Sequence, residues 1–290
     1  MAQLKPFRGD YYLWDYVPST VAAVIFVILF AGATGGVTWR MVKTRTWFSI
    51  PFILGGIFQF LGYIARAYAR DKTDQLGLFI MQSVLILVAP ALFAASIYMT
   101  LGRLIRSIQG EKHSIIPVGW LTKAFVLGDV LSFLIQSSGG GLMASSNFDP
   151  KTGENIILGG LFVQIFMFGL FAVTAVIFHV RMRRWPSGAS MDPSSSWVRL
   201  MGMLYATSAL ILVRSVFRVV EYMMGKEGYL LRNEWTLYVF DALLMFGTMA
   251  VYGIVYPARL SGAELKGPRA WDSVGSGTGE GEDEMRLGGK

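Results

Sequence analysis

The sequence predicts an all-α polytopic membrane protein: a bundle of seven transmembrane helices with the N-terminus outside and the C-terminus in the cytosol. Three observations predict it. Of 290 residues, 53% are apolar and only 16% are charged, against about a quarter charged in a soluble domain. The apolar residues gather into seven blocks near the ~20-residue length that crosses a hydrocarbon core. The basic residues of the connecting segments crowd onto every second connection, which sets an orientation.

The first block runs from about Val17 to Trp39, opening with Pro18 and Ser19 and ending at Arg40. The second covers Trp47 to Tyr68, and the third Leu76 to Leu101 with Pro90 inside it. A fourth starts at Pro117, a favoured first-turn residue, and reaches Ser137. The fifth spans Ile156 to Val180, the sixth Val198 to Met223, and the seventh Trp235 to Tyr256, closed by Pro257. In lipid only helices and closed barrels satisfy their backbone hydrogen bonds. These blocks are too long and too continuously apolar for barrel strands, so they are read as helices.

After blocks one, three, five and seven come Arg40, Lys43, Arg45; Arg103, Arg106, Lys112; Arg181, Arg183, Arg184; and Arg259, Lys266, Arg269. The N-terminus and the other connections carry fewer basic residues, offset by more acids, from Asp10 and Asp15 to Glu227 and Glu234. The basic set faces the cytosol. The chain thus divides into an extracellular segment 1–16, a seven-helix domain 17–258 and a cytosolic tail 259–290. The tail is rich in Gly, Ser and acid and is read as disordered. The stretch Gly139–Asn155 is the longest outer connection, either folded over the outer mouth of the bundle or a mobile loop.

Several classes are excluded or disfavoured. With no cysteine there is no disulfide framework, thiolate metal site or catalytic thiol. The first sixteen residues lack the apolar core of a cleaved signal. A formal charge of +7 is explained by the basic loops, so no nucleic acid is expected as a partner. The glycines of AGATGG are not followed by Lys-Ser or Lys-Thr, which rules out a phosphate loop. Two histidines, His113 and His179, are too few for a histidine-rich zinc hydrolase. No nucleophile–base set can be assembled, so the protein is expected not to be an enzyme and to need no cofactor or metal. The expected partners are membrane lipids and an amphiphilic small molecule, with a homo-oligomer left open.

Ionisable groups at bilayer depth are costly and need a partner or a wet cavity. Gln59, Tyr63 and Arg66 share one face of the second helix, and Asp129 and Gln136 one face of the fourth. Arg214, Arg218 and Glu221 recur at the same helical spacing on the sixth, and Asp241 lies on the seventh. Counted at ~1.5 Å per residue from the expected helix ends, all fall in the outer half of the membrane. Two readings follow. Asp129 and Asp241 pair with Arg214, Arg218 or Arg66 to fix the packing, or the same residues line an outward-facing cavity for a polar head group. Pro90 serves either close packing or a hinge.

The strings YVPS (Tyr16–Ser19), GYIAR (Gly62–Arg66), VAPALFAASIYMTLGR (Val88–Arg103), DVLSFLIQSSGGG (Asp129–Gly141), RSVFRVVEY (Arg214–Tyr222) and EWTLYVFDALLM (Glu234–Met245) together resemble the fungal lipid-translocating exporter family, the Rta-like seven-helix proteins. One departure is Gln59, where the resemblance implies an acidic residue. The resemblance implies a plasma-membrane or endomembrane protein linked to movement or tolerance of amphiphiles: sphingoid long-chain bases, amino-sterols or, in one branch, porphyrin or haem. The substrate-binding set is Tyr63, Arg66, Asp129, Gln136, Arg214, Arg218, Glu221 and Asp241. The expected function is binding and translocation of such an amphiphile, downhill, proton-coupled or partner-driven, at the plasma membrane. The rival is a heptahelical receptor signalling through basic cytosolic loops. A retinal-type photoreceptor is excluded, because the seventh helix has no lysine.

Overall fold

The computed structural model describes residues 18–70, 75–144, 150–191, 196–224, 233–258 and 260. The N-terminal segment 1–16, expected to be extracellular, and nearly all of the tail 259–290 lie outside the described residues. Seven helices are long and apolar enough to cross a membrane. They are α1 (Thr20–Thr44), α2 (Ile50–Ala69), α3 (Leu76–Ser107), α4 (Val118–Ala144), α5 (Pro150–Arg184), α6 (Trp197–Met223) and α7 (Glu234–Ile254). The protein is an integral multi-pass membrane protein.

Local chemistry explains several boundaries. The Ser19 hydroxyl accepts from the Ala22 amide and caps α1, which ends where Arg45 turns left-handed at φ 54°. A 3₁₀ turn, Trp47–Ser49, leads into α2, whose first turn holds Pro51 where no amide partner is lost. α4 and α5 extend further than expected, so most of Gly139–Asn155 is helical and only residues 145–149 stand between them. α3 runs unbroken through Pro90. α7 is interrupted: an α-turn Glu234–Leu237, a π-helical segment Tyr238–Leu243, then α-helix Leu244–Ile254.

Each helix packs against its sequence neighbours and α7 returns to α1, closing a ring, while α3 also reaches α6 across the middle. The interior is aromatic, with Phe30, Phe52, Phe93, Tyr98, Phe125, Phe168, Phe171 and Phe178 all buried. The outside is apolar too: Val21, Ile25 and Ile28 on α1 and Phe162, Phe166 and Val173 on α5 are exposed. That inversion suits hydrocarbon rather than water.

Glycine lets backbones touch along α4 and α5, a small-residue device of membrane helices. A Cβ on Gly139 would lie 2.7 Å from the Gly153 carbonyl oxygen and 2.9 Å from the Ile157 nitrogen. Both contacts are backbone, so no rotamer change relieves them. Gly139→Ala is therefore expected to lower stability in detergent by about 1–3 kcal/mol, although alanine is the better helix former by about 1 kcal/mol. Unchanged or raised thermal stability would show that α4 and α5 can part without cost.

Candidate functional site

Two ion-pair nodes tie the helices of the bundle together. In the first, the Arg66 guanidinium on α2 donates from Nη2 to Glu234 Oε1 at 2.8 Å and from Nε to the Tyr238 hydroxyl at 3.1 Å. The Ser19 amide donates to the same carboxylate at 2.9 Å. The start of α1, the end of α2 and the start of α7 are thus tied through one arginine. Sequence reasoning counted Glu234 as a loop charge and missed its role. The helical spacing from Glu234 to Tyr238 was the available signal.

In the second node, Arg214 Nε lies 2.5 Å from Asp241 Oδ1, with both residues almost wholly buried. Arg214 also donates from Nη2 to the Ile86 carbonyl of α3 at 3.2 Å. That carbonyl is four residues before Pro90, which has no N–H to bond it. The proline therefore exposes an acceptor inside the membrane, and the arginine fills it. On α7 the π-helical segment, a feature often found at functional sites, carries Asp241 and Tyr238.

On the same helices lie buried polar atoms with no hydrogen-bond partner among the described residues: both amide atoms of Gln59, the Tyr63 hydroxyl, Asp241 Oδ2 and, on α3, Gln82 Oε1. Gln59 and Tyr63 are one turn apart on α2, and Tyr63 lies within electrostatic reach of Asp241, Arg66, Tyr238 and Arg214. One turn separates Gln82 from Ile86, the carbonyl that Arg214 binds. Phe26, Phe30, Tyr63 and Tyr238 stack beside them, with centroids 5.4 Å apart for Phe26–Tyr238 and 5.5 Å for Phe30–Tyr63.

Four of the eight expected residues, Tyr63, Arg66, Arg214 and Asp241, come together here. Arg218 pairs with Glu221 at 2.6 Å within α6, within electrostatic reach of Asp241. The other two stand apart. Gln136 belongs to the α4–α5 seam, donating to Ser132 Oγ at 2.8 Å and Gln164 Oε1 at 3.1 Å. Among the described residues Asp129 meets no arginine. Its Oδ2 accepts from the Tyr98 hydroxyl at 2.9 Å, and its Oδ1 has no partner among them.

α3 serves as a ruler for depth. Arg214 touches Ile86 and Asp129 touches Tyr98, twelve residues further along, which is about 18 Å. Asp129 therefore does not share the layer expected for it. The expected pairing of Asp129 with an arginine fails for the same reason: its outward distance was counted from Ser137, whereas α4 runs on to Ala144.

The expected open cavity is also not what the structure presents, since Arg66, Arg214 and Asp241 are at most 2% exposed. Concavities of about 500 and 560 Å³ lie instead on the two flanks of α1, one against α2 and one against α7. Among the described residues no three histidine or acidic side chains gather as a metal site.

Comparison with known proteins agrees with this architecture. A family described as RTA1 like protein matches residues 52–264. Protoporphyrin uptake protein 1 of Saccharomyces cerevisiae is 35% identical over 281 residues, covering 85% of this chain and 92% of that protein. Protein RTM1 of the same yeast is 39% identical over 219 residues, 75% of this chain and 70% of that protein. A sphingoid long-chain base transporter, RSB1, also from Saccharomyces cerevisiae, is 26% identical over 255 residues, 75% of this chain and 66% of that protein. No solved structure matches. With seven membrane-crossing helices, the family's profile over most of its length and yeast relatives along nearly all of it, this chain belongs to the RTA1-like family of fungal membrane proteins.

Proposed function

We propose that this protein is a plasma-membrane transporter that moves an amphiphile across the bilayer, holding its polar head in the layer between α2, α3, α6 and α7. The observation that carries this reading is the set of buried polar atoms with no partner among the described residues, those of Gln59, Tyr63 and Asp241 Oδ2, together with the Arg214–Asp241 pair. Buried polar groups of native proteins are otherwise satisfied, by protein, water or ligand. Their cost at membrane depth marks them as functional. The free acceptors suit an ammonium or hydroxyl head, and the apolar and aromatic helix faces suit a long tail. The relatives' names support amphiphile movement: one is named for protoporphyrin uptake, another for sphingoid long-chain base transport. We favour the long-chain base or an amino-sterol. A porphyrin is the second reading, favoured by the more similar relative, with its carboxylates on Arg214 or Arg218.

Flux decides between transporter and receptor. Liposomes holding the full chain are expected to move a fluorescent long-chain base faster than protein-free liposomes. Binding without movement would make the protein a receptor, and selective movement of a porphyrin would favour the second reading.

The orientation has its own test. Tags after Met1 and within residues 145–149 are expected to be reached by antibody on intact cells, and tags after Ser187 or in the tail only after permeabilisation. The opposite pattern would reverse the charge argument.

A further inference from the structure

We propose that Asp129 is a proton-binding carboxyl, separate from the head-group layer, whose protonation is coupled to movement of the substrate. The coupling half rests on the transport reading above. The proton-binding half does not.

Asp129 is 4% exposed and makes one side-chain hydrogen bond, from Tyr98. Tyr98 is itself packed in aromatic surroundings, with ring centroids 4.5 Å from Phe171, 5.5 Å from Phe125 and 6.0 Å from Phe168. Directly beside Asp129, Gly128 is so close to Met167 that an added Cβ would lie 2.6 Å from its Cε. The side chains packed directly on this pair are therefore largely aromatic and apolar, and the polar cluster of Ser132, Gln136 and Gln164 begins about one turn further along α4.

The charged and titratable groups nearest it on the surrounding elements are engaged elsewhere or exposed. On α3, Arg103 stands over the Phe48 ring at 4.7 Å. On α4, Lys123 is exposed, six residues toward the helix start. On α5, His179 bonds the Tyr205 hydroxyl of α6 at 2.9 Å. Also on α6, Arg214 is committed to Asp241 and Arg218 to Glu221. None of them forms an ion pair with Asp129.

An ionised carboxylate with one hydrogen bond and no cation is strongly disfavoured in such a place, and taking up a proton removes the charge. A metal ion is a poor alternative occupant. A hard cation takes six or more oxygen ligands, and the nearest hydroxyl on the same helix face, Ser132 Oγ, already donates to the Gly160 carbonyl and accepts from Gln136. One proton on Oδ1 needs no such cage. Neutral, Asp129 suits the closed seam seen here. Ionised, it favours an arrangement in which α3 and α4 admit water, so gaining or losing one proton shifts the balance between two conformations. The site lies about 18 Å along α3 from the Arg214 layer, so proton and head group need not share a pocket.

Infrared spectra of the purified chain at neutral pH are expected to show a protonated-carboxyl stretch. Asp129→Asn should remove it, and Tyr98→Phe, which deletes only the donated hydrogen bond, should move it to higher frequency. A spectrum unchanged by Asp129→Asn would overturn the proton site. In liposomes, an imposed pH gradient is expected to change wild-type flux of a fluorescent long-chain base severalfold and to leave that of Asp129→Asn unaltered. The same gradient response in both would overturn the coupling. If wild type moves no probe, the transport reading fails, while the infrared result still decides whether Asp129 holds a proton.

Discussion

Asp241→Ala is expected to destabilise the protein by about 3–5 kcal/mol, because it strands the Arg214 guanidinium in the middle of the bundle with only the Ile86 carbonyl for company. Arg214→Ala should cost a similar amount, leaving a buried carboxylate and reopening the Ile86 acceptor that Pro90 cannot bond. The double replacement Arg214→Met with Asp241→Leu removes both charges and fills the space. It is expected to recover most of that loss, since a buried pair is rarely more stabilising than apolar residues of similar volume. Unfolding in detergent measures stability and flux in liposomes measures function. A stable double variant that no longer moves substrate assigns the pair to the site. A stable double variant with full flux assigns it to packing alone.

A long-chain primary amine is expected to bind more than tenfold more tightly than its N-acylated counterpart of matched apolar size. A charge-assisted hydrogen bond to a group such as Asp241 Oδ2 contributes about 1.5–3 kcal/mol in a dry site. Removing one methylene from the tail should change affinity by only about 0.8 kcal/mol. An anionic amphiphile of the same apolar size completes the comparison, and Gln59→Leu, which replaces unpartnered polar atoms by an apolar group of similar length, should narrow the difference. Equal affinity for all three ligands would remove the layer from recognition and leave its charges a structural role.

These results depend on features legible in the sequence to different degrees. The seven spans needed only hydropathy and length, because each helix closes its own backbone bonds and its outward face need only match lipid. Residues of the two ion-pair nodes could also be picked out one by one, since Arg66, Arg214 and Asp241 are conspicuous against apolar neighbours. Their partners could not. Arg66 chose Glu234, 168 residues away, and Asp129 chose a tyrosine. Such choices depend on how far each helix runs and how it is rotated, which composition does not set.

α4 and α7 show why. The glycine run 139–141 looked like the start of a loop, yet the small glycines let α4 continue against α5, and the longer helix puts Asp129 deeper than a count from Ser137 implies. On α7 a regular helix was expected, whereas the π-helical segment sets the rotation of Tyr238 and Asp241. Hydropathy by itself determined that the chain crosses a membrane seven times. Packing decided that Asp241 meets Arg214 while Asp129 stands apart, because an ion pair needs two side chains brought together at one depth and on facing sides, and only the assembled bundle fixes both.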